Sequence, residues 1–185
     1  MAHVCPWWLG YLLINPLRKL VENPEKMLAP HIRPGLTILD VGCGMGYFSL
    51  PAARLTGRDG RVIGVDLQPK MLDGLRRRAL KAGLAERIEA RSGDAPPLGV
   101  GDLAGKIDLV LTIHMVHEVP DKKDLFARIV EVLRPGGRLL FIEPPRHVTP
   151  ATFEESLAVA REVGLRVVEQ PKPLAAVLEK APAAA

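Results

Sequence analysis

Cysteine, aromatic residues and long apolar runs are scarce in this sequence, and each scarcity excludes a class of protein. Cys5 and Cys43, the two cysteines of the 185-residue chain, lack the spacing of a zinc site or a disulfide framework. We therefore expect reduced thiols and a cytoplasmic location. Positive charge is not concentrated either: the net charge is +4, and the one dense basic run is three arginines at residues 76–78. Nucleic-acid binders usually gather their charge on one face, so nucleic acid is not the expected partner.

The apolar run at residues 4–14 is too short to cross a membrane, because a spanning helix needs about 20 residues. It also lacks the charged leader and the small-residue cleavage site of a signal peptide. Aromatic residues make up only 4% of the chain, yet Trp7 and Trp8 are adjacent within this run. We interpret residues 1–30 as a short helical lid, with contact to a membrane surface as the alternative, and residues 181–185 as a frayed tail.

From residue 37 onwards, short aliphatic segments alternate with longer amphipathic segments. The predicted strands are residues 37–41, 61–65, 87–91, 107–113, 138–142, 165–169 and 174–178, and the predicted helices are residues 47–55, 69–82, 121–133 and 152–163. In the second of these helices, we expect Leu72, Leu75, Ala79 and Leu80 to lie broadly on one face. Strands alternating with helices predict an α/β fold with a doubly wound, mostly parallel sheet, here over residues 31–180.

The first predicted strand runs directly into a glycine-rich turn, where a ligand can approach the backbone closely. Gly42, Gly44 and Gly46 follow Asp40 in this turn. Dinucleotide binders would place a further glycine where Tyr47 stands, so tight contact with a diphosphate is disfavoured. The carboxylate of Asp40 also repels phosphate and favours an ammonium group. The expected ligand is therefore a nucleoside with a cationic tail.

Two further acids follow the next two predicted strands. Asp66 lies about twenty residues beyond the glycine turn, the position from which a carboxylate accepts hydrogen bonds from both hydroxyls of a ribose. Asp94 follows Ser92 and Gly93, and its carboxylate could accept from an adenine amino group. Three acids at three successive strand ends, beside a glycine turn, indicate a nucleoside site far more specifically than any one of them.

With these motifs, the chain resembles the class I S-adenosylmethionine-dependent methyltransferases, in particular the small-molecule branch called methyltransferase type 11 or UbiE-like. The resemblance is carried by residues 38–46, 62–67, 93–95 and 133–140. It implies a seven-stranded sheet with the last strand antiparallel. It also implies S-adenosylmethionine as the cofactor and S-adenosylhomocysteine as the product.

The resemblance further assigns roles to the motif residues. The methionine part of the cofactor would be held by Asp40, Gly42, Cys43, Gly44 and Gly46, the ribose by Asp66, and the adenine by Leu67, Gly93, Asp94 and Ala95. No metal is expected in this site.

The fourth predicted strand ends in a segment with two histidines, which in this family faces the transferred methyl group. His117 is three residues after His114, so a helical turn would bring both onto one face. Either histidine could accept a proton from the methyl acceptor, and His117 and His114 are our predicted catalytic residues. His114 could instead pack beside the cofactor. With Glu118 these histidines could hold a metal, but the spacing is not that of a zincin.

The acceptor is the least determined part of the function. Nucleic-acid amino methyltransferases carry an Asn/Asp-Pro-Pro-aromatic element after the fourth strand, and His114 and Met115 stand there instead. Glu143-Pro144-Pro145-Arg146 follows the fifth strand and lacks the aromatic residue. We therefore expect methyl transfer to a small molecule by in-line displacement, from an enzyme that is a monomer or a homodimer. An RNA or protein acceptor, or a quinone or lipid at a membrane surface, are the alternatives.

Overall fold

Seven strands form one sheet in the order β3-β2-β1-β4-β5-β7-β6. The structure is a computed structural model that describes residue 14, residues 18–93 and residues 98–181. In chain order the elements are α1 (Arg18–Val21), α2 (Pro24–Leu28), β1 (Thr37–Val41), α3 (Ser49–Leu55), β2 (Arg61–Asp66), α4 (Pro69–Lys81), β3 (Ile88–Ser92), β4 (Ile107–Ile113), α5 (Lys122–Val132), β5 (Leu133–Ile142), α6 (Pro150–Glu162), β6 (Leu165–Lys172) and β7 (Ala175–Lys180). The predicted α/β fold with a mostly parallel seven-stranded sheet is confirmed.

The chain divides into two compact units, Val4–Gly99 and, for the C-terminal part, Val100–Ala185. We call them the N-terminal unit and the C-terminal unit. This division differs from the predicted boundaries of a lid at residues 1–30, a domain at residues 31–180 and a tail, which remain predictions. Most of the predicted lid, the Trp7-Trp8 pair included, lies outside the described residues.

In the N-terminal unit, β1, β2 and β3 pair in parallel. β2 is buried from Val62 to Val65, as expected for a strand covered on both faces. Helix α4 begins at Pro69, whose missing N–H costs nothing in the first turn of a helix. Its buried positions include Leu72, Leu75 and Ala79, but Leu80 is 73% exposed. The prediction for Leu80 was wrong because it lies about 100° around the helix from Ala79.

In the C-terminal unit, β4 and β5 pair in parallel, and β7 pairs antiparallel with both β5 and β6. The expected antiparallel last strand is therefore present. Three buried phenylalanines lie together in the core of the C-terminal unit. Phe141 stacks on Phe153 with ring centroids 4.6 Å apart and meets Phe126 edge-on with centroids 5.7 Å apart. Aromatic pairs at these separations add stabilisation beyond the area that they bury.

Strand β5 begins at Leu133, ahead of the predicted strand at residues 138–142, because it contains the Pro135-Gly136-Gly137 segment. The pairing register moves from Ile107 with Leu133 to Leu109 with Arg138, so several extra residues of β5 bulge out of the ladder. Gly136 lies in this bulge with a φ of 70°, a backbone conformation that favours glycine. The glycines and proline thus interrupt the strand without ending it.

No helix within the described part of the chain is long and apolar enough to cross a membrane. Helices α1 and α2, at residues 18–28, are the described portion of the predicted lid.

Candidate functional site

The glycine turn after β1 is tied to the end of β2 by backbone hydrogen bonds. The amides of Gly42 and Cys43 both donate to the carbonyl of Val65, at 2.9 and 3.0 Å. Gly42, Gly44 and Gly46 have φ values of 71°, 53° and 80°, so all three use a left-handed conformation that costs other residues free energy. Three residues of this kind explain why the turn requires glycine.

The two inner glycines of this turn have different surroundings. A Cβ atom at Gly46 would lie 2.4 Å from a methyl carbon of Leu75 and 2.7 Å from one of Leu50, whereas one at Gly44 would meet nothing within 4 Å. Gly46 therefore allows the turn to pack against buried leucines. Gly44 leaves an open space beside the turn, as a ligand-binding turn requires.

The carboxylate of Asp66 joins this turn to the loop after β2. Its Oδ2 accepts from the Gly44 amide at 2.9 Å, and its Oδ1 accepts from the Gln68 amide at 2.9 Å. Desolvation by burial raises the pKa of Asp66, and the backbone donors oppose that rise. Leu67, next to it, is 50% exposed. The half-buried carboxylate has further lone pairs for a ligand hydroxyl, and the leucine offers an apolar surface beside it.

Asp40 lies deeper than a ligand-contacting residue would. It is 2% exposed, and its Oδ2 accepts from the Ser49 hydroxyl at 2.5 Å, at the first residue of α3. Burial raises its pKa from 3.8 to about 7, while the Ser49 bond lowers it and the neighbouring Asp66 raises it. The structure thus shows Asp40 linking β1 to α3.

Cys43 is also buried, at 6% exposure, and its Sγ lies 3.6 Å from the Gly44 carbonyl oxygen. Burial raises the pKa of its thiol well above the ordinary value. Burial therefore disfavours the thiolate form, the form that acts as a nucleophile or a metal ligand.

The third predicted acid cannot be placed, because Asp94 and Ala95 lie outside the described residues. Gly93 is described, and its amide donates to the Asp66 carbonyl at 3.0 Å. A Cβ atom there would lie 3.1 Å from a Val65 side-chain carbon, so glycine allows a close approach to the end of β2.

Contacts among three residues, to which sequence analysis gave no such role, hold residues 18–22 against the segment just before α3. The Tyr47 hydroxyl donates to the Glu22 carbonyl at 2.7 Å. The Arg18 guanidinium lies 4.2 Å from the centre of the Tyr47 ring and pairs with the Glu22 carboxylate at 2.5 Å. The residue that breaks the dinucleotide pattern thus anchors the segment before β1.

Arg78, in the basic run at residues 76–78, contacts the glycine turn. It is half-buried and donates to the carbonyl of Met45 in the glycine turn. Arg76 pairs with Asp73 and donates to the Ala90 carbonyl. The basic run is therefore partly used to fix the glycine turn and the end of α4.

In the C-terminal unit, the two candidate catalytic histidines do not share a helical turn. His114 has a φ of 60°, and its amide donates to the Ile142 carbonyl at 2.8 Å. The 3₁₀ turn begins only at Val116 and includes His117. The expectation that one turn would bring both histidines onto one face was therefore wrong, because His114 has a left-handed backbone conformation and lies before the turn.

His117 is held by a buried carboxylate that sequence analysis left without a role. Glu143, the residue after β5, is 4% exposed. Its Oε1 accepts from the His117 amide at 3.0 Å, and its Oε2 lies 2.7 Å from the His117 Nδ1. Desolvation raises the pKa of Glu143, and the contacts with His117 and the charge of Lys122 oppose that rise.

The ring of His147 stacks on the ring of His117, with centroids 5.3 Å apart and planes 16° apart. Among the described residues, no group of three or more histidine, cysteine or acidic side chains has the arrangement of a metal site.

Comparisons with known proteins agree with these geometries. A family model described as "Methyltransferase domain" matches residues 38–137. The chain is 38% identical over 117 residues to an arsenite methyltransferase of Halobacterium salinarum, covering 63% of this chain and 29% of that protein. It is 34% identical over 138 residues to a 27-O-demethylrifamycin SV methyltransferase of Amycolatopsis mediterranei, covering 74% and 49%. The chain thus spans half or less of the length of these two relatives.

Among solved structures, the chain is similar to a SAM-dependent methyltransferase from Aquifex aeolicus. The TM-score is 0.80 at 21% sequence identity, and the match covers 95% of this chain and 98% of that one. At this identity the likeness establishes the fold.

Proposed function

We propose that this chain, which belongs to the methyltransferase domain family, transfers a methyl group from S-adenosylmethionine to a small-molecule acceptor. The match of the methyltransferase domain model to residues 38–137 confirms the family predicted from the sequence. The single observation that carries the proposal is the contact between Asp66 and Gly44. It joins the glycine turn to the acid after β2, and these are the two motifs on which a nucleoside with a cationic tail would depend.

The residues of the N-terminal unit fit this cofactor. Asp66 would accept from the ribose hydroxyls, and Leu67 would cover one face of the adenine. The backbone of Gly42, Cys43, Gly44 and Gly46 would lie along the methionine part, with the open side of Gly44 admitting it. When bound, the cofactor supplies an electrophilic methyl group on a sulfonium, so the protein mainly has to align donor and acceptor and exclude water.

Asp40 takes a narrower role in this proposal than its position in the motif suggested. Its carboxyl group is occupied by Ser49 and buried, so it would support the turn rather than bind the ligand directly. Gly93, Asp94 and Ala95 remain the proposed contacts to the adenine.

A small molecule is the acceptor that the relatives favour, since one is named for arsenite and the other for 27-O-demethylrifamycin SV. An RNA or protein acceptor would be favoured by a free basic run at residues 76–78, and it loses support because Arg78 binds Met45 within the fold. The alternative of a quinone or lipid at a membrane surface depends on residues 4–14, of which residues 4–13 lie outside the described residues. A cytoplasmic location and a monomer or homodimer stay part of the proposal.

For the chemical step, we propose His117 as the residue that accepts a proton from the acceptor. Its ring is 20% exposed and is held in place from the Nδ1 side. His114 is proposed to pack beside the cofactor, because its constrained backbone suits a positioning role better than a proton shuttle.

The cofactor proposal is tested by calorimetry with S-adenosylhomocysteine on the wild type and on Asp66→Ala. We expect the wild type to bind and the variant to bind at least about 100-fold more weakly, a loss of about 2.7 kcal/mol. Asp73→Ala is the matched control, because Asp73 is an exposed acid on α4 that pairs with Arg76. Equal affinity for all three proteins would contradict the assignment of Asp66.

The acceptor is tested by incubating the protein with methyl-labelled S-adenosylmethionine and a cell extract. Label in a small-molecule fraction supports the proposal. Label in RNA or protein would replace the acceptor class while leaving the cofactor site standing.

A further inference from the structure

We infer that Glu143 positions His117 as the proton acceptor for a hydroxyl group, so that the methyl acceptor is a hydroxyl compound and the product a methyl ether. The inference rests on the proposed function and adds a positioning residue and an acceptor chemistry to it. It is carried by the contacts between two residues that are 26 positions apart in the chain and meet only in the fold.

The carboxylate of Glu143 holds His117 at two points. One oxygen accepts from the His117 backbone amide at 3.0 Å, which fixes the main chain. The other lies 2.7 Å from Nδ1, which fixes the ring. With Glu143 ionised, its carboxylate only accepts, so we assign the hydrogen of the neutral ring to Nδ1 and the lone pair to Nε2. A second residue that sets the tautomer of a histidine in this way makes the opposite nitrogen the basic one.

Of the two residues, His117 is the more exposed, as a base that must reach the acceptor requires. The Glu143 side chain is 2% exposed, and the His117 side chain is 20% exposed. The carboxylate is therefore shielded from solvent and from acceptor molecules, while the ring reaches outward. When His117 takes up a proton, the buried carboxylate stabilises the positive charge at close range.

Two neighbours complete the arrangement. Lys122 donates to the Ser156 hydroxyl at 2.9 Å and contributes positive charge that favours ionised Glu143. The ring of His147 stacks on the ring of His117 and restricts its rotation. The orientation of His117 is thus limited by a hydrogen bond at one edge and a ring at one face.

A held base selects among acceptor chemistries. Many thiols ionise near neutral pH without assistance, and an amine loses its proton after it has attacked. A hydroxyl gains most, because its proton has to leave as the new bond forms.

The step balances with the groups named. A hydroxyl oxygen donates a lone pair to the methyl carbon as the carbon–sulfur bond breaks and its electrons return to sulfur. Nε2 of His117 accepts the hydroxyl proton and later releases it to water. The products are a methyl ether, the demethylated cofactor and one proton, and no oxidant or reductant is needed.

The first arm of the test needs no acceptor. We would record imidazole ¹⁵N–¹H spectra of the full chain labelled at histidine, using His117→Gln to assign the ring. The expected spectrum has hydrogen on Nδ1 and none on Nε2 at a pH where the ring is neutral. Glu143→Gln should weaken this preference. A ring with hydrogen on Nε2 would overturn the inference, because the basic nitrogen would then face the carboxyl group.

The second arm uses the compound that the cell extract shows to be labelled. Mass spectrometry would identify the atom that carries the methyl group, with oxygen expected; carbon, nitrogen, sulfur or arsenic would overturn the hydroxyl assignment. Glu143→Gln should lower kcat by about 100-fold with little change in KM, and Glu143→Asp should restore part of the loss. An unchanged kcat in Glu143→Gln would show that the pair is structural.

These outcomes are separable from failure of the proposed function. S-adenosylhomocysteine should bind Glu143→Gln as tightly as the wild type, since Glu143 is assigned no part in the cofactor site. A wild type that fails to bind S-adenosylhomocysteine would contradict the proposed function itself. Retained binding with an unchanged kcat contradicts only the role of Glu143.

Discussion

Each unit of the chain has an acid at a strand end that accepts hydrogen bonds, yet the two acids do different work. Asp66, the last residue of β2, accepts hydrogen bonds from backbone amides, including those of Gly44 and Gln68. Glu143, after β5, accepts one from a backbone amide and meets the side chain of the same residue, His117. Asp66 therefore shapes a loop, whereas Glu143 holds the ring of His117 as well as its backbone.

This difference decides which of the two sites can be recognised in a sequence. A loop shaped by backbone bonds needs glycines at fixed positions, and these form a motif. A side-chain pair needs only one acid and one histidine, and the fold can bring them from any two strand ends. Four predictions test the contrast between the two regions.

The largest effect is expected from a methyl group inside the glycine turn. Gly46→Ala would place Cβ at 2.4 Å from Leu75 and 2.7 Å from Leu50, at a φ of 80°. Overpacking and backbone strain together should lower the free energy of unfolding by about 3 kcal/mol. Gly44→Ala meets no atom within 4 Å, and we expect a loss of about 1 kcal/mol from strain alone. Urea unfolding of both variants measures the difference, and equal losses would contradict it.

His117→Ala should affect turnover and leave cofactor binding intact. We expect kcat to fall by about 100-fold, the usual contribution of a proton-transfer residue, with the affinity for S-adenosylhomocysteine unchanged. Asp66→Ala should show the opposite pattern, with the larger loss in the affinity for S-adenosylhomocysteine. Calorimetry and initial rates on both variants decide the matter. An unchanged turnover in His117→Ala would make this histidine structural.

Asp40 should make the stability of the chain depend on pH. Its pKa is about 7 in the fold against 3.8 when exposed, so the folded state binds the proton more tightly. The stabilisation is complete below about pH 4 and is lost as the pH rises through about 7. Asp40→Asn should gain about 2 kcal/mol of stability relative to the wild type between pH 5 and pH 7. Urea unfolding at several pH values measures this gain, and a constant difference would rule out the titration.

The smallest effect concerns the lid anchor. Tyr47→Phe removes the hydroxyl that donates to the Glu22 carbonyl at 2.7 Å and keeps the ring under Arg18. We expect a loss of about 1 kcal/mol in unfolding free energy. Arg18→Met is the companion variant, since it removes the cation and its pair with Glu22. Limited proteolysis of residues 18–28 should speed up in both, and unchanged cleavage would contradict the anchoring role.

Most of the fold could be predicted from local pattern. The strands over residues 37–41 and 107–113 were predicted at their observed bounds, because a short aliphatic run bounded by turn residues is typical of a buried strand. Helix α4 was found within one residue because Pro69 and Gly83 mark its ends. The start of β5 was missed, since Pro135 and Gly136 signal a turn locally while pairing with β4 continues beyond them.

Less of the site could be predicted. The glycine turn and Asp66 were found, and the structure joins them. The roles of Glu143, Arg78 and Glu22 were missed, because each acts on an atom more than twenty residues away. The sequence signal for a role of Glu143 is its position directly after a predicted strand.

The sequence by itself determined the succession of strands and helices along the chain, the glycine turn and the family. These follow from periodicity and from residues with unusual backbone freedom. Only the tertiary structure decided that Asp40 is buried against Ser49, that Arg78 binds the glycine turn and that Glu143 holds His117. Burial and long-range pairing depend on which strand ends are brought together. Solvent exclusion there changes the chemistry of a carboxylate in a way that its neighbours in the chain do not specify.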